Sequence, residues 1–205
     1  MRPLLVTAGA TRNPVDAMRY LSARSSGVTG TALARQAGGA VFLLGSPEAR
    51  LRAPDLPGET FGSTRDLLER MHAWCSRNPT GVVIHAAAVG DYEVAGAGGK
   101  IPSGQASLTI TLSPTPKILD RIRGWSPDLR IVSFKAAPPA SDPAALHRIA
   151  DAQRVRTDSS VVFANTIGRL QAGVVLVDAA GATHHAHRED GLRDLGRRVS
   201  QLRTP

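Results

Sequence analysis

Residues 81–119 read GVVIHAAAVGDYEVAGAGGKIPSGQASLTITLSPTPKIL. Val82, Val83 and Ile84 are consecutive, apolar and β-branched, the pattern of a strand buried on both faces of a parallel sheet. His85-Ala86-Ala87-Ala88 then strips side-chain bulk away where that strand ends. Ligands of open α/β sheets sit at the carboxyl ends of strands, so small residues there leave room for one. Asp91 and Tyr92 follow, then a Gly96–Gly99 run carrying Lys100. The alternation of Leu108, Ile110 and Leu112 predicts a short strand, and Ser113-Pro-Thr-Pro-Lys117 opens a helix. A helix start with a lysine beside it attracts anions. Asp91, Lys100, Lys117 and a helix N-terminus therefore converge on the end of one strand.

Composition narrows what such a site serves. The 205 residues suffice for one ordinary domain with a sizeable core, here of Val, Leu, Ala and Ile, because aromatics make up only 4%. A single cysteine, Cys75, excludes an internal disulfide and a thiolate metal cluster, as expected of a cytoplasmic protein. The apolar start at Leu4 is too brief for a signal peptide, and no run reaches membrane-spanning length. A net charge of +8 invites a nucleic-acid reading. The basic residues are spread along the chain, however, and the densest run, Arg188 to Arg203, alternates with acids and apolar residues as a solvated helix does. An anionic small substrate uses positive charge equally well. The basic residues are overwhelmingly arginine. The lysines, Lys100, Lys117 and Lys135, fall in one segment.

Read in order, Leu4–Thr7 is a first strand ending in Ala8-Gly9-Ala10-Thr11-Arg12, which lacks a GxGxxG fingerprint and so argues against a dinucleotide module. A long loop is expected from Thr11 to about Gly27, then a helix over Thr31–Ala37 whose cap or phosphate cradle is Ser25-Ser26-Gly27-Val28-Thr29-Gly30. Ala40–Leu44 reads as a strand, Pro54 to Gly58 as a surface loop and Thr64 to Trp74 as a helix. Beyond Val82–Ala86 come a helix from Lys117 to Arg123, a strand over Arg130–Phe134 and a helix from Pro143 to Arg154. Val161–Ala164 is a buried strand ending in Asn165, Val174–Val177 and Thr183–Ala186 form a hairpin, and a last helix carries Leu192, Leu195 and Val199. Strands alternating with helices give a mostly parallel sheet with helices on both faces and a small β extension. His85 is placed as a base would be, although packing explains it as well. His184, His185 and His187 lack carboxylate partners in the pattern and read as an exposed edge.

Together these landmarks resemble the phosphopantothenoylcysteine synthetase family, the ligase of coenzyme A biosynthesis, over nearly the whole chain. Val6-Thr-Ala-Gly-Ala-Thr-Arg-Asn-Pro-Val-Asp16 is similar to its opening segment, and Arg19-Tyr20 with Arg24-Ser-Ser-Gly27 and Gly30 to its second motif. Ala86-Ala-Ala-Val-Gly-Asp-Tyr92, Lys100-Ile101, Thr115-Pro-Lys-Ile-Leu119, Val132-Ser-Phe134 and Val162-Phe-Ala-Asn165 match the later ones. Each is weak alone, and seven in order are specific. The Pro-Lys-Ile-Leu and Ser-Phe-Lys forms, with no flavin decarboxylase half, resemble the free-standing members.

The resemblance implies a three-layer Rossmann-like α/β domain over residues 1–205, acting as a homodimer. It implies activation of a carboxylate by a nucleoside triphosphate, CTP or ATP with Mg²⁺, giving an acyl-nucleotide and pyrophosphate before an amine attacks the acyl carbon. By resemblance, Gly9, Ser26, Gly27, Ala86, Ala87, Asp91, Lys100, Pro116, Lys117, Ile118, Leu119 and Phe134 serve the nucleotide. Ala23, Arg24, Ser25 and Asn165 serve the acid substrate, Lys100 and Asp91 are catalytic, and no protein metal site is implied. Arg154 and Arg156 stand where the family has a lysine pair. Ala23 stands where the family has an asparagine whose amide serves the acyl-nucleotide. An acid–amine ligase with another substrate, or a nucleotide-binding relative without catalysis, stays open beside the leading reading.

Overall fold

The computed structural model describes residues 1–95, 98–139, 142–169 and 173–205. In chain order the elements are β1 (Leu4–Ala8), β2 (Arg12–Pro14), β3 (Tyr20–Ser22), α1 (Val28–Gln36), β4 (Val41–Gly45), α2 (Pro47–Arg52), β5 (Gly58–Thr60), α3 (Thr64–Arg77) and β6 (Val82–His85). There follow β7 (Tyr92–Val94), β8 (Leu112–Pro114), α4 (Ile118–Trp125), β9 (Arg130–Ala137), α5 (Pro143–Thr157), β10 (Val161–Thr166), β11 (Val174–Asp178), β12 (Gly181–His185) and α6 (Arg188–Leu202).

Eight strands form the central sheet in the order β12-β11-β10-β9-β6-β1-β4-β5. The six from β5 to β10 are parallel, and β11 and β12 complete the edge antiparallel. Counted by appearance, the parallel strands run 3-2-1-4-5-6, the doubly wound order, whose ligand crevice lies where the order reverses, between β1 and β6. That junction is the driest part of the molecule. Every residue of β1 and β6 is buried, with Leu4 opposite both Val41 and Val82.

Alternate residues of those strands feed two different cores. Leu4, Val6, Val82 and Ile84 pack with Leu33 of α1 and Leu195 and Val199 of α6. Leu5 and Val83 pack with Leu67, Met71 and Trp74 of α3 and Ile118 and Ile122 of α4. Leu146 and Ala150 of α5 cover Val162, Val175 and Val177 toward the antiparallel edge. The result is the expected three-layer α/β fold. Arg203, 1% exposed, locks the chain ends to it by donating to the carbonyls of Arg2, Ala37, Gly38 and Ala40 at 2.7–3.1 Å.

Several local readings change. The loop expected over residues 11–27 holds the ribbon β2–β3, paired Arg12 with Ser22 through Pro14 with Tyr20. Asn13 organises it: the side chain is 1% exposed, accepts from Thr64 N–H at the start of α3 (2.8 Å) and donates to the Tyr92 carbonyl (2.8 Å). The strand expected at Leu108–Leu112 is only its last residue, because β8 is Leu112–Pro114 paired with β7. Leu108 and Ile110 alternate but remain exposed, having no sheet face to bury them. The loop expected from Pro54 to Gly58 is present as far as Pro57, flanked by two elements that were not expected, α2 and β5; α2 is started by Ser46, whose hydroxyl accepts from Ala49 N–H, with Pro47 at its first position. α1 begins three residues earlier than expected, and α3, α4, α5 and β9 each run two or three residues past their expected ends.

Candidate functional site

Two cavities open at the carboxyl ends of β1, β6, β9 and β10. The larger, about 650 Å³, lies on the α1/α6 face. The smaller, about 290 Å³, lies on the α4/α5 face. Ala87, Phe134 and Ala136 line both, so the cavities meet over the strand ends.

The larger cavity is shaped by the start of α1. Gly27 takes the left-handed conformation (φ 78°), and a Cβ there would lie 2.6 Å from that of Ala49. Only glycine fits, and the chain then turns directly into the helix. Neither Ser25 nor Ser26 caps it: α1 has no side-chain cap, and the Thr31 hydroxyl instead donates back to the carbonyls of Gly27 and Val28. The first-turn N–H groups of Val28, Thr29 and Gly30 are left to the cavity they line. Arg24 on one wall and Arg188 on the other have no carboxylate partner among the described residues. Arg188 is held by its Nη2, which donates to Thr29 Oγ1 at 2.8 Å, with its guanidinium 5.6 Å from the Phe163 ring centroid. Burial lowers its pKa. The opening is an anion cradle, tempered only by Glu189.

In the smaller cavity most of the charges are paired. Lys117, the N-cap of α4, is ion-paired to Asp91, and Arg156 to Asp120 in the first turn of that helix. Lys135 remains at the wall without such a partner. Its floor holds His85, which is 7% exposed and whose Nδ1 lies 3.0 Å from Thr7 Oγ1. Burial lowers the imidazole pKa to about 4, so the ring is neutral at physiological pH. A ring with so low a pKa is a weak base, and its anchoring to Thr7 fits the packing role also considered from sequence.

Of the residues singled out by sequence, Arg24, Ser25, Ser26, Gly27, Ala86 and Asn165 line the larger cavity, and Asp91, Pro116, Lys117, Ile118, Leu119 and Arg156 the smaller, with Ala87 and Phe134 in both. Four lie outside. Gly9 (φ 92°) is required because Ser46 Oγ would sit 2.1 Å from a Cβ there. Ala23 is exposed beyond the lining, and its neighbour Ser22 is already engaged with the Thr11 carbonyl. Lys100 is exposed, its segment tied away from both cavities by Gly99 C=O to Ala17 N–H (2.7 Å) and Ile101 N–H to Asp16 Oδ2 (3.1 Å). Gly96 and Ala97 of that segment lie outside the described residues. Arg154 turns out to Asp151 (2.9 Å).

Sequence reasoning missed Arg188 and Gln153, whereas Thr29 lies in the stretch from Ser25 to Gly30 expected to cap the helix or hold a phosphate. The signal for Gln153 was present: it shares the buried stripe of α5 with Leu146, Ala150 and Thr157 at helical spacing, whereas Arg154 and Arg156 are off it. No such signal marked Arg188, whose place depends on α6 packing beside α1. His185 also corrects its expectation, because Asp194 is its carboxylate partner at 3.1 Å.

The chain is 37% identical over 183 residues to the coenzyme A biosynthesis bifunctional protein CoaBC of Thermococcus kodakarensis, covering 85% of this chain but only 44% of that protein. Its fold is shared with the DNA/pantothenate metabolism flavoprotein of Streptococcus pneumoniae at a TM-score of 0.86 (22% identity, 98% and 99% of the two chains). It is shared also with a Cab2 mutant in complex with phosphopantothenate-cysteine, at 0.78 (20% identity, 98% and 87%). Residues 1–192 match the model of the DNA/pantothenate metabolism flavoprotein C-terminal domain, and the chain belongs to that family.

Proposed function

We propose that this chain is a nucleotide-dependent ligase that joins 4'-phosphopantothenate to cysteine through an acyl-nucleotide. The observation that carries the reading is the pair of joined cavities at the switch point, one an anion cradle at the start of α1 and the other with its charges mostly paired. The Thermococcus relative is a coenzyme A biosynthesis bifunctional protein, and the Cab2 mutant of like fold is in complex with phosphopantothenate-cysteine, both of which support the reading.

In this reading CTP or ATP spans both cavities, with its phosphates over the α1 start between Arg24 and Arg188. A carboxylate oxygen attacks the α-phosphorus, and the bond to the β-phosphate oxygen breaks to release pyrophosphate. The amine of cysteine then attacks the acyl carbon, the nucleoside monophosphate leaves, and the amine loses a proton. The first step needs charge neutralisation and alignment more than an acid–base pair. Mg²⁺ is implied by the family resemblance, yet no cluster of three acidic, histidine or cysteine ligands exists among the described residues. It would therefore arrive on the triphosphate oxygens.

Lys100 acts only if its segment leaves the Asp16 anchor and swings over the nucleotide. Lys100→Ala then abolishes pyrophosphate release and leaves thermal unfolding unchanged, whereas wild-type release in that variant removes Lys100 from the reaction. Tyr20 and Leu21 of β3 and Tyr92 of β7 are exposed, and we assign them to a homodimer contact. We also assign the chain to the cytoplasm, in keeping with its single cysteine.

The deciding experiment incubates the chain with CTP or ATP, 4'-phosphopantothenate, cysteine and Mg²⁺ while pyrophosphate and product mass are followed. The reading expects cysteine-dependent product. Nucleotide binding without pyrophosphate release rejects it in favour of a non-catalytic relative. Pyrophosphate released only with another acid points to a divergent ligase, the reading favoured by Ala23.

A further inference from the structure

Thr7, His85 and Ser133 stand side by side on three adjacent parallel strands, Thr7 in register with His85 and His85 with Ser133. Partners in register project on the same face, here toward the smaller cavity. The Ala87 N–H donates to Thr7 Oγ1 at 3.1 Å. The Thr7 hydroxyl has one proton of its own, and its remaining partner is His85 Nδ1 at 3.0 Å. Directing that proton to Nδ1 leaves no buried hydroxyl proton unpaired, and we assign this tautomer, with the ring proton on Nε2. The same logic fixes Gln153, which is 6% exposed. Its Nε2 donates to the Phe134 carbonyl, which only accepts, at 3.2 Å, and to Ser133 Oγ at 2.9 Å. The amide oxygen is left as the atom with no donor among the described residues, in a side chain that lines the cavity. The floor thus offers one donor and one acceptor, both uncharged and both fixed in polarity by buried hydrogen bonds.

The surroundings say which part of a ligand meets that floor. The larger cavity holds two arginines unpaired among the described residues and the uncapped start of α1; the smaller holds the uncapped start of α4 and Lys135, its other two cations being ion-paired. At about 290 Å³ the smaller cavity falls at the lower bound for a whole ligand and suits a single flat ring system. Phosphates favour the first, a base the second.

Resting on the nucleotide reading above, we propose that His85 and Gln153 read the edge of the nucleobase. His85 Nε2–H donates to a ring nitrogen, and the Gln153 amide oxygen accepts from the adjacent exocyclic amine. Cytosine and adenine both present that acceptor–donor pair. Uracil and guanine present the reverse, a ring N–H beside a carbonyl, which sets donor against donor and acceptor against acceptor. Buried polar groups left unpaired in this way discriminate strongly, here by about 100-fold or more between amino and keto bases. The low pKa of His85 keeps the donor neutral throughout the physiological range.

Calorimetric titration of the chain with CTP, ATP, UTP and GTP tests this, together with Gln153→Met, which keeps the side-chain length and removes the acceptor. The wild type should bind CTP or ATP at least about 100-fold more tightly than UTP and GTP. Gln153→Met should lose tenfold or more of that preference by weakening the amino-base nucleotides alone. A merely structural residue would weaken all four equally, which overturns the proposal. Histidine ¹⁵N spectroscopy on the wild type is independent of how variants fold. It should show the Nε2–H tautomer of His85 unchanged from pH 5.5 to 8, with its Nε2 resonance moving on addition of CTP or ATP and not of pyrophosphate. An Nδ1–H tautomer, or equal affinity for the four nucleotides, overturns the base-reading pair and leaves the ligase reading standing. Failure of every nucleotide to bind overturns the ligase reading, and the proposal with it.

Discussion

Mild acid should destabilise this chain through His85, well above the pH at which carboxylates protonate. In the unfolded chain the imidazole titrates near 6.5, whereas burial beneath the smaller cavity lowers it to about 4. Between those two values the unfolded state holds the extra proton, so stability falls as pH falls. The contribution is intact above about pH 6.5 and fully lost below about pH 4. The gap corresponds to about 3 kcal/mol in total, of which about 2 kcal/mol is gone by pH 5. Around the ring, Asp91, Asp120, Lys117, Lys135 and Arg156 line the same cavity, and the two carboxylates are each paired to a cation. They are therefore poorly placed to stabilise an imidazolium.

Urea unfolding of the wild type and of His85→Asn at pH 7 and pH 5 isolates the effect, because the other histidines and all carboxylates are common to both proteins. The two differ at pH 7 by a constant set by packing. From pH 7 to pH 5 the wild type should lose about 2 kcal/mol more than the variant, with unchanged denaturant slopes. Parallel losses would refute the reasoning, since they would mean that His85 protonates in the folded chain as readily as in the unfolded one.

Gly27→Ala should cost roughly 2–4 kcal/mol, combining left-handed strain with overlap against Ala49, and an unchanged melting temperature would remove the steric account of the α1 start. Arg203→Ala removes a buried guanidinium that donates to four carbonyls and should cost about 2–3 kcal/mol in urea unfolding, while a loss under 1 kcal/mol, roughly the value of one ordinary hydrogen bond, would mean that water replaces the clamp. Given 4'-phosphopantothenate, the wild type should accumulate acyl-nucleotide, and Ala23→Asn should speed its conversion by cysteine by about 10²–10³-fold, the value of one oxyanion donor. Brisk wild-type turnover with no detectable intermediate would overturn that account.

What the sequence made legible depended on the range of the forces involved. The run Val82-Val83-Ile84 announced a strand buried on both faces, and it is the strand beside the switch point. The motif Arg24-Ser-Ser-Gly27 marked a ligand loop, yet its hydroxyls do not cap α1; a single glycine torsion sets that geometry, and composition around a turn does not report torsions. The ribbon β2–β3 escaped notice because three-residue strands carry too few side chains for a period to emerge. Leu108 and Ile110 misled for the opposite reason. Their alternation is real, but alternation predicts a strand only where a partner edge exists, and that partner, β7, reaches only to Leu112. The arginines of α5 were singled out by resemblance to a lysine pair, and Arg156 does reach the smaller cavity, whereas Gln153 and Thr157 are the residues the helix presents to the sheet.

In the proposed reading the two faces of the sheet divide the ligand, and that division constrains the chemistry between them. On one face the row Thr7–His85–Ser133 is uncharged and locked by hydrogen bonds. On the other, Arg24, Arg188 and the α1 start gather positive potential. The residues shared by both cavities are Ala87, Phe134 and Ala136, none of which can hold or move a proton. A bond made at that shared rim therefore draws little from side-chain acid or base groups on the strand ends. Its acceleration must come from alignment of the reacting atoms over small residues and from neutralising the departing phosphates on the α1 side. Substitutions at the rim should then act through volume: Ala87→Val would narrow the passage between the cavities and slow the first step without altering its pH profile. An altered profile in that variant would reveal a titrating group at the rim and contradict the division.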